Sequence, residues 1–369
     1  MGSGIIPGKD KGAVGFRQEL GLTWHGQEEY EVIDGPVLMP MVRDKIVYDV
    51  EGVSLCPQFT NAQIEKMVRN GMTSEKISQL MATPITSMRA LTRMDNGDVL
   101  YDYSVTPEYT VILNETFLDV MQENLLDKFP DVAVESCGTL FGGRVAFVNI
   151  LLSVATIKGD NSKTAFRLMY YNAFGGKSIA AGMHSVRVVC FNTLSWAEAQ
   201  ALANMTLAKF KHSSGAPGRV QAHLVELAGI HAEIERHKAQ LDDMATRRMT
   251  GLEVAAFLSL YIPIPKGCTS KLETRRMNQR NDIVSHFESA PDLQGDIARS
   301  FYAMVQAVTF VNEHLNVGKR GVDEAASIFD SVTGGMRDQA NRKAFNLLQL
   351  PDLVNAASDA QDKLDEDGE

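Results

Sequence analysis

Residues 133–191 read AVESCGTLFGGRVAFVNILLSVATIKGDNSKTAFRLMYYNAFGGKSIAAGMHSVRVVCF. Apolar and β-branched residues fill five runs of this stretch, and turns that contain glycine separate most of them. Short apolar runs bounded by glycine predict strands, and strands joined by short turns predict antiparallel pairing. The predicted strands cover 133–137, 145–153, 165–172, 178–183 and 185–191.

Helical patterns lie on both sides of this stretch. Glu115 to Leu126 carries apolar residues at helical spacing, and Thr193 or Ser195 is expected to cap a helix that reaches Phe210. Apolar positions from Val220 to Leu241 predict one long helix of about thirty residues. Further helices are expected at 252–261, 276–287, 297–314, 324–329 and 336–348. The fold class is therefore α+β, with a central antiparallel sheet, flanking helices and a C-terminal helical region.

The chain divides into five segments by composition and pattern. We expect a flexible leader at 1–20, an N-terminal α/β segment at 21–107 and an α+β core with a basic sheet at 108–214. A helical region at 215–350 and a disordered acidic tail at 351–369 follow. The tail has seven acids and one lysine, and this charge imbalance is typical of disorder.

The N-terminal segment leaves two interpretations open. Short apolar runs predict strands at 36–42 and 45–50, and helices are expected to start at Asn61 and Ser74. The Asn96-Gly97 pair then predicts the turn of a β-hairpin. In the alternative, a winged helix-turn-helix, Ile85 to Arg93 would be a recognition helix. The alternation of Val99, Tyr101 and Tyr103 favours the hairpin.

Composition excludes several classes of protein. The chain has 369 residues, 44% hydrophobic and 22% charged, with a formal net charge of −10. These values exclude a mostly disordered chain, a collagen-like repeat and a disulfide scaffold. The four cysteines lie far apart, no secretory leader is visible, and no apolar stretch is long enough to span a bilayer. We expect a soluble protein of a reducing compartment, without membrane contact.

Two glycine-rich stretches are similar to phosphate-binding loops but lack features that such loops require. Phe174 to Ser178 reads Phe-Gly-Gly-Lys-Ser, but Tyr171 stands where a Walker loop needs glycine. Gly138 to Gly143 lacks the spacing of a dinucleotide fingerprint and the helix that should follow it. Neither stretch predicts a nucleotide site.

Three histidines, His223, His231 and His237, lie in the predicted long helix with Glu233 and Glu235 between them. Spacing of four residues makes a metal site geometrically possible. Solvated side-chain pairs on a charged helix are the more common arrangement. The sequence predicts no catalytic residue, no metal site and no cofactor.

Charge is segregated along the chain. Residues 136–193 hold six lysines and arginines against the single acid Asp160, and the same stretch carries seven phenylalanines and tyrosines. Cations that neutralise phosphates and rings that stack on bases are what a single-stranded nucleic-acid groove requires. The candidate phosphate contacts are Arg144, Lys158, Lys163, Arg167, Lys177, Arg187, Lys209, Lys211 and Arg219. The candidate stacking rings are Tyr170, Tyr171 and Phe174. Another basic cluster lies at Arg275, Arg276 and Arg280.

Several phrases of the sequence carry a resemblance to a known family. They include Glu135-Ser-Cys-Gly-Thr-Leu-Phe-Gly-Gly-Arg144, Val186-Arg-Val-Val-Cys-Phe-Asn-Thr-Leu194, Lys211-His-Ser213, Ala307-Val-Thr-Phe-Val-Asn-Glu-His314 and Arg342-Lys-Ala-Phe345. In this order, from about residue 21 to 350, the chain resembles the phage/plasmid-like family known as domain of unknown function 932. A Trp24-His25-Gly26 phrase also fits, although Glu28 stands where the family usually has glycine.

The resemblance implies an origin in a phage or plasmid and action in the cytoplasm of a bacterial host. Its order of elements is similar to that of single-strand annealing recombinases, which is an analogy of fold only. The leading hypothesis is an ATP-independent protein that binds single-stranded DNA in annealing or recombination, as a homo-oligomer. The alternative is a non-enzymatic phage protein that binds a host or phage replication protein, or that forms an assembly without nucleic acid. A third hypothesis is an enzyme whose site is unrecognised, around the three histidines.

Overall fold

The fold is seen in a computed structural model. The structure describes residues 13–16, 30–33, 36–100, 105–129, 132–140, 142–175, 178–187, 192–195, 207–226, 230–315 and 336–366. Lys177 and the expected helix at 324–329 lie outside these residues.

A mostly antiparallel sheet forms the centre of the molecule. Its strands are β1 (Ala13–Phe16), β2 (Tyr30–Ile33), β5 (Ala133–Leu140), β6 (Val145–Thr156), β7 (Lys163–Ala173), β8 (Ser178–Arg187), β9 (Asn192–Ser195) and β10 (Leu207–Lys211). The strand order is β10-β8-β7-β6-β5-β1-β2, and β9 also pairs with β8. Only the pair β1–β2 is parallel. The predicted α+β class and the antiparallel centre are confirmed.

Helices account for most of the remaining described residues. They are α1 (Met39–Ile46), α2 (Asn61–Arg69), α3 (Ser74–Ala82), α4 (Asn114–Met121), α5 (Ala216–Glu226), α6 (Ile230–Thr246), α7 (Gly251–Tyr261), α8 (Ser270–Ser289), α9 (Phe301–Phe310), α10 (Met336–Leu348) and α11 (Leu353–Glu366). A π-helical turn extends α4 to Leu126, and another extends α9 to Leu315. The long helix expected from Val220 to Leu241 is described as α5 and α6, on either side of residues 227–229.

One hydrophobic core joins the sheet to the helices. Alternate residues of β6 and β7, such as Ile150 and Leu168, face Leu118 of α4, Ile234 of α6 and Met304 of α9 in the same buried cluster. Val145 to Ile150 is buried at every position. This strand therefore has both faces covered, as its sequence, apolar from Val145 to Leu152 except at Asn149, predicts.

The N-terminal segment differs from its prediction in one element. Residues 39–46, which were expected to belong to two strands, form α1, and the strand β3 (Val50–Leu55) follows it. Pro40 occupies the first turn of α1, where its fixed φ favours a helix. Val42 and Ile46 lie four residues apart and are both fully buried, so the apolar period here is helical.

The turn of the predicted hairpin is confirmed, and Val99 and Val105 pair with residues 85–93 through isolated bridges, whereas residues 101–104 lie outside the described residues. Ile85–Arg93 is the strand β4, which pairs with β3, so the recognition helix of the winged alternative is wrong. The chain reverses at Gly97, whose φ of 75° favours glycine. The amide of Arg93 donates to the carbonyl of Asp98 at 2.9 Å, which closes the turn.

Two expectations near strand and chain ends are wrong at the residues that the structure describes. The helix expected to run from Thr193 or Ser195 to Phe210 has strands at both ends, β9 and β10, and 196–206 lie outside the described residues. Residues 353–366 of the expected disordered tail form α11, which packs against α7. Leu353 and Ala357 share one face of α11 and contact the core, so apolar burial offsets the acidic composition.

Candidate nucleic-acid interface

The predicted cations divide between the two ends of the sheet. Lys158 lies in the turn between β6 and β7, and Lys163 begins β7. Arg187 lies beside Thr164 at the same end by register, although its side chain is outside the described part. Arg144, Lys209 and Lys211 lie at the other end, near Ala173 and Ser178. The eleven residues of β7, from Lys163 to Ala173, span about 33 Å and separate the two groups.

Arg167 does not belong to either group, because it is buried in the sheet. Its Nε and Nη2 atoms donate to the two carboxylate oxygens of Glu135 at 2.5 and 2.7 Å. Asn149 Nδ2 donates to the same carboxylate at 3.0 Å. Only 3% of Arg167 is exposed. The prediction that Arg167 contacts phosphate is therefore wrong, and the residue joins β5, β6 and β7 from within.

His184 completes this buried cluster on β8. It lies opposite Arg167 in the register of β7 and β8. Burial, and then the charge of Arg167, lower the pKa of His184 to about 3. The imidazole therefore stays neutral at every physiological pH, and Glu135 remains the anionic partner of Arg167 in the cluster.

The three candidate stacking rings are buried as well. Tyr170 is fully buried against Phe117, with ring centroids 5.4 Å apart, and burial raises its pKa well above the usual value. Phe174 is also fully buried, and Tyr171 is 6% exposed. β7 is an interior strand with both faces covered, so alternation brings neither tyrosine to the surface. The expected base stacking by Tyr170, Tyr171 and Phe174 is wrong.

His212, in the phrase Lys211-His-Ser213, has a structural role. Its ring stacks on Tyr109 at 4.9 Å, and its Nε2 lies 3.1 Å from the carbonyl oxygen of Ala173. Burial lowers its pKa to about 4. The neutral ring fixes the start of α5 against the end of β7, so Lys211 and Arg219 are held on a rigid support.

Asn114 and Asn172 form a second buried link in this region. Asn172 Nδ2 donates to Asn114 Oδ1 and to the carbonyl of Ile112, both at 2.8 Å. Asn114 Nδ2 donates to the carbonyl of Ile46 at 2.6 Å. These bonds join α1, α4 and β7. They give Asn114 and Asn172 a structural role that requires no ligand.

Three exposed cations lie together at the edge of the sheet, and we call them the β10 basic edge: Lys209, Lys211 and Arg219. Phe210 turns toward the core, so Lys209 and Lys211, on either side of it, share the opposite, exposed face. Arg219 Nη2 donates to the carbonyl of Lys211 at 3.3 Å and to Ser213 Oγ at 2.9 Å. Among the described residues, no carboxylate pairs with these three cations.

The histidine helix gives no metal centre in the described part of the chain. His237 is buried against Phe166 and Phe345, and burial lowers its pKa to about 3. The side chains of His223 and His231 lie outside the described residues. Across the described side chains, no group of three or more metal-ligating residues is found.

Comparisons with known proteins identify a family but give no information about the β10 basic edge. None of the described helices is long and apolar enough to cross a membrane. No curated protein and no solved structure matches the chain. The family model with the description "domain of unknown function (DUF932)" matches residues 103–359, which is more than half of the chain. The protein therefore belongs to the DUF932 family.

Proposed function

We propose that the protein binds single-stranded DNA through its phosphate backbone, independently of ATP, as an annealing-type protein of a phage or plasmid. The observation that carries this proposal is the β10 basic edge. Its three cations are exposed, share one end of the sheet and lack a carboxylate partner among the described residues. Exposed cations without a carboxylate partner are available to neutralise phosphates.

The burial of the three candidate stacking rings argues against a binding mode in which bases stack on them. Proteins that store single strands usually stack bases on exposed rings. Here Tyr170, Tyr171 and Phe174 are buried, so a strand bound by phosphate contacts would keep its bases free to pair. Free bases are what annealing requires, and contacts to phosphate carry no sequence preference. We therefore expect binding with little dependence on base sequence.

The test compares two double variants in fluorescence anisotropy with a labelled single-stranded oligonucleotide at low salt. Lys209→Ala/Lys211→Ala removes two cations of the β10 basic edge. Lys66→Ala/Lys76→Ala removes two exposed cations from α2 and α3 as a matched control. Each exposed ion pair contributes up to about 1 kcal/mol, so the first variant should bind about tenfold more weakly. Equal affinity of the two variants, or no binding by the wild type, would contradict the proposal.

A second candidate function, assembly through protein contacts, is favoured by the arm that β3, α2, α3 and β4 form. α2 has no buried residue, and Val53, Val68, Leu80 and Met88 are exposed. Several exposed apolar side chains on one segment of the chain are consistent with an interaction surface. We expect the arm to contact a second copy of the chain. Light scattering tests this, because Val68→Asp should shift an oligomer toward monomer, and a monomeric wild type would exclude the contact.

A further inference from the structure

The C-terminal helices enclose a cleft that is separate from the sheet. It has a volume of about 290 Å³ and lies between the end of α7, the middle of α8 and α10. The side chains that matter for its chemistry are Tyr261, Arg275, Arg276, Gln279, Asn312 and Lys343. We call these residues and the space between them the basic cleft.

Part of the positive charge in the basic cleft caps a helix. Arg276 Nη1 donates to the carbonyl of Pro263 at 2.5 Å, and Lys343 Nζ donates to the carbonyl of Tyr261 at 2.9 Å. Nearby, Arg280 donates twice to the carbonyl of Ile262, at 3.1 and 2.7 Å. These carbonyls end α7, and a helix C-terminus carries roughly half a negative charge. Capping of the C-terminus of α7 would therefore account for only one of these cations.

The remaining charge is not compensated. Arg275 adds a fourth cation, and no carboxylate of the described residues pairs with any of the four. Burial, and then the charge of Arg276, lower the pKa of Lys343 and of Arg280. The cations therefore destabilise one another. A bound anion would relieve this repulsion.

One donor in the lining of the basic cleft has no acceptor. Arg276 Nε is buried and has no hydrogen-bond partner. A buried donor without a partner costs about 1–3 kcal/mol, which an oxygen of a ligand would recover. Asn312 is held in place because its Nδ2 donates to Tyr261 Oη at 3.0 Å and to Asn341 Oδ1 at 2.7 Å.

Part of the lining of the basic cleft is apolar. Tyr261, Ile262, Ile283 and Val311 supply it, and the ring of Tyr261 stacks on Phe257 with centroids 5.5 Å apart. A second opening of about 610 Å³ begins at Arg275 and is lined by Lys271, Thr274 and Asn278. A small ligand with one anionic end and one apolar end fits this mixture of cationic and apolar lining residues better than a bare ion does.

We propose that the basic cleft binds a phosphate monoester whose phosphoryl group contacts Arg275, Arg276 and Lys343 and whose apolar body lies against Tyr261. The phosphoryl group can belong to a free mononucleotide or to the 5′ end of a strand, since both present the same dianion. The site does not involve the β10 basic edge, and the proposal does not depend on DNA binding there.

Calorimetric titration of the full-length protein tests the proposal. The probes are adenosine monophosphate, adenosine, inorganic phosphate, and one oligonucleotide with and without a 5′-phosphate. Adenosine monophosphate should bind saturably and at least tenfold more tightly than adenosine, because a charged hydrogen bond is lost with the phosphate. A tenfold preference for the 5′-phosphorylated oligonucleotide would assign the strand end as the source, and its absence would assign the mononucleotide.

Variants keep the test specific to the cleft. Arg275→Ala and Lys343→Met should each weaken adenosine monophosphate binding by about tenfold or more. Arg275 is exposed, so its variant remains informative if Lys343→Met unfolds. Arg69→Ala on α2 removes the same charge elsewhere and should bind as the wild type does. The proposal is overturned by equal binding of adenosine and its monophosphate, by no saturable phosphate binding, or by an equal loss in Arg69→Ala.

Discussion

Replacing Glu135 by glutamine should destabilise the fold, because it leaves the charge of Arg167 buried without its anion. The guanidinium cannot lose its proton in a protein, and it is 3% exposed. His184 cannot compensate, since its pKa of about 3 keeps it neutral. Removal of one partner of a buried pair costs about 3–5 kcal/mol, which is a large part of the 5–15 kcal/mol that stabilises a typical domain.

Urea unfolding followed by circular dichroism measures this loss. Glu65→Gln is the matched control, because Glu65 pairs with Arg69 on the exposed face of α2 at 4.0 Å and should change stability by less than about 1 kcal/mol. In Glu135→Gln/Arg167→Met both charges are gone, so its cost should be about 2 kcal/mol or more below the sum of the single variants. The reasoning is refuted if Glu135→Gln costs less than about 1 kcal/mol or if the two changes are additive.

Three further outcomes follow from the structure. Burial holds the pKa of His184 and His237 at about 3 and that of His212 at about 4 in the folded protein. In the unfolded chain their pKa is about 6.5, so as the pH falls the unfolded chain binds protons before the folded protein does. Acidification from pH 7 to 5 should then remove about 2 kcal/mol per histidine, and an unchanged Tm over this range would contradict it. Gly143→Ala should cost about 2 kcal/mol or more, because φ is 85° and the added Cβ would lie 2.8 Å from Arg93 Nη1; Gly97→Ala, with a φ of 75° and open space, should cost less in the same thermal melts. Truncation after residue 350 removes Leu353, which is 3% exposed, and should lower stability by at least about 1.5–3 kcal/mol; an unchanged Tm would contradict this.

The strands were predictable because their signals are local. Glycine turns and apolar runs bound β5 to β8, and Asn96-Gly97 specifies a hairpin turn whatever surrounds it. α1 was not predicted as a helix because eight residues give two turns of period, and Val42 and Ile46 fit a short apolar run equally well. The helix α11 depends on its contact with α7, which composition does not reveal.

For the candidate site, the sequence predicts where positive charge is concentrated but not which cations are exposed. Glu135 lies one residue before the basic stretch 136–193, and composition does not distinguish a buried Arg167 from an exposed one. In the structure the two charges neutralise each other inside the sheet. Rings and cations along β7 look like a groove in sequence, but β7 is covered on both faces from Thr164 to Ala173, so neither the rings nor Arg167 are exposed. Lys209 and Lys211 remain exposed because β10 lies at an edge.

The salt dependence of single-stranded DNA binding tests the central claim most directly. Each phosphate that a cation neutralises on a single strand contributes about −0.7 to the slope of log K against log salt. The three cations of the β10 basic edge therefore predict a slope of about −2 for the wild type, and Lys209→Ala/Lys211→Ala should reduce it to about −0.7. The account is contradicted if both proteins give the same slope, or if the wild type does not bind at low salt.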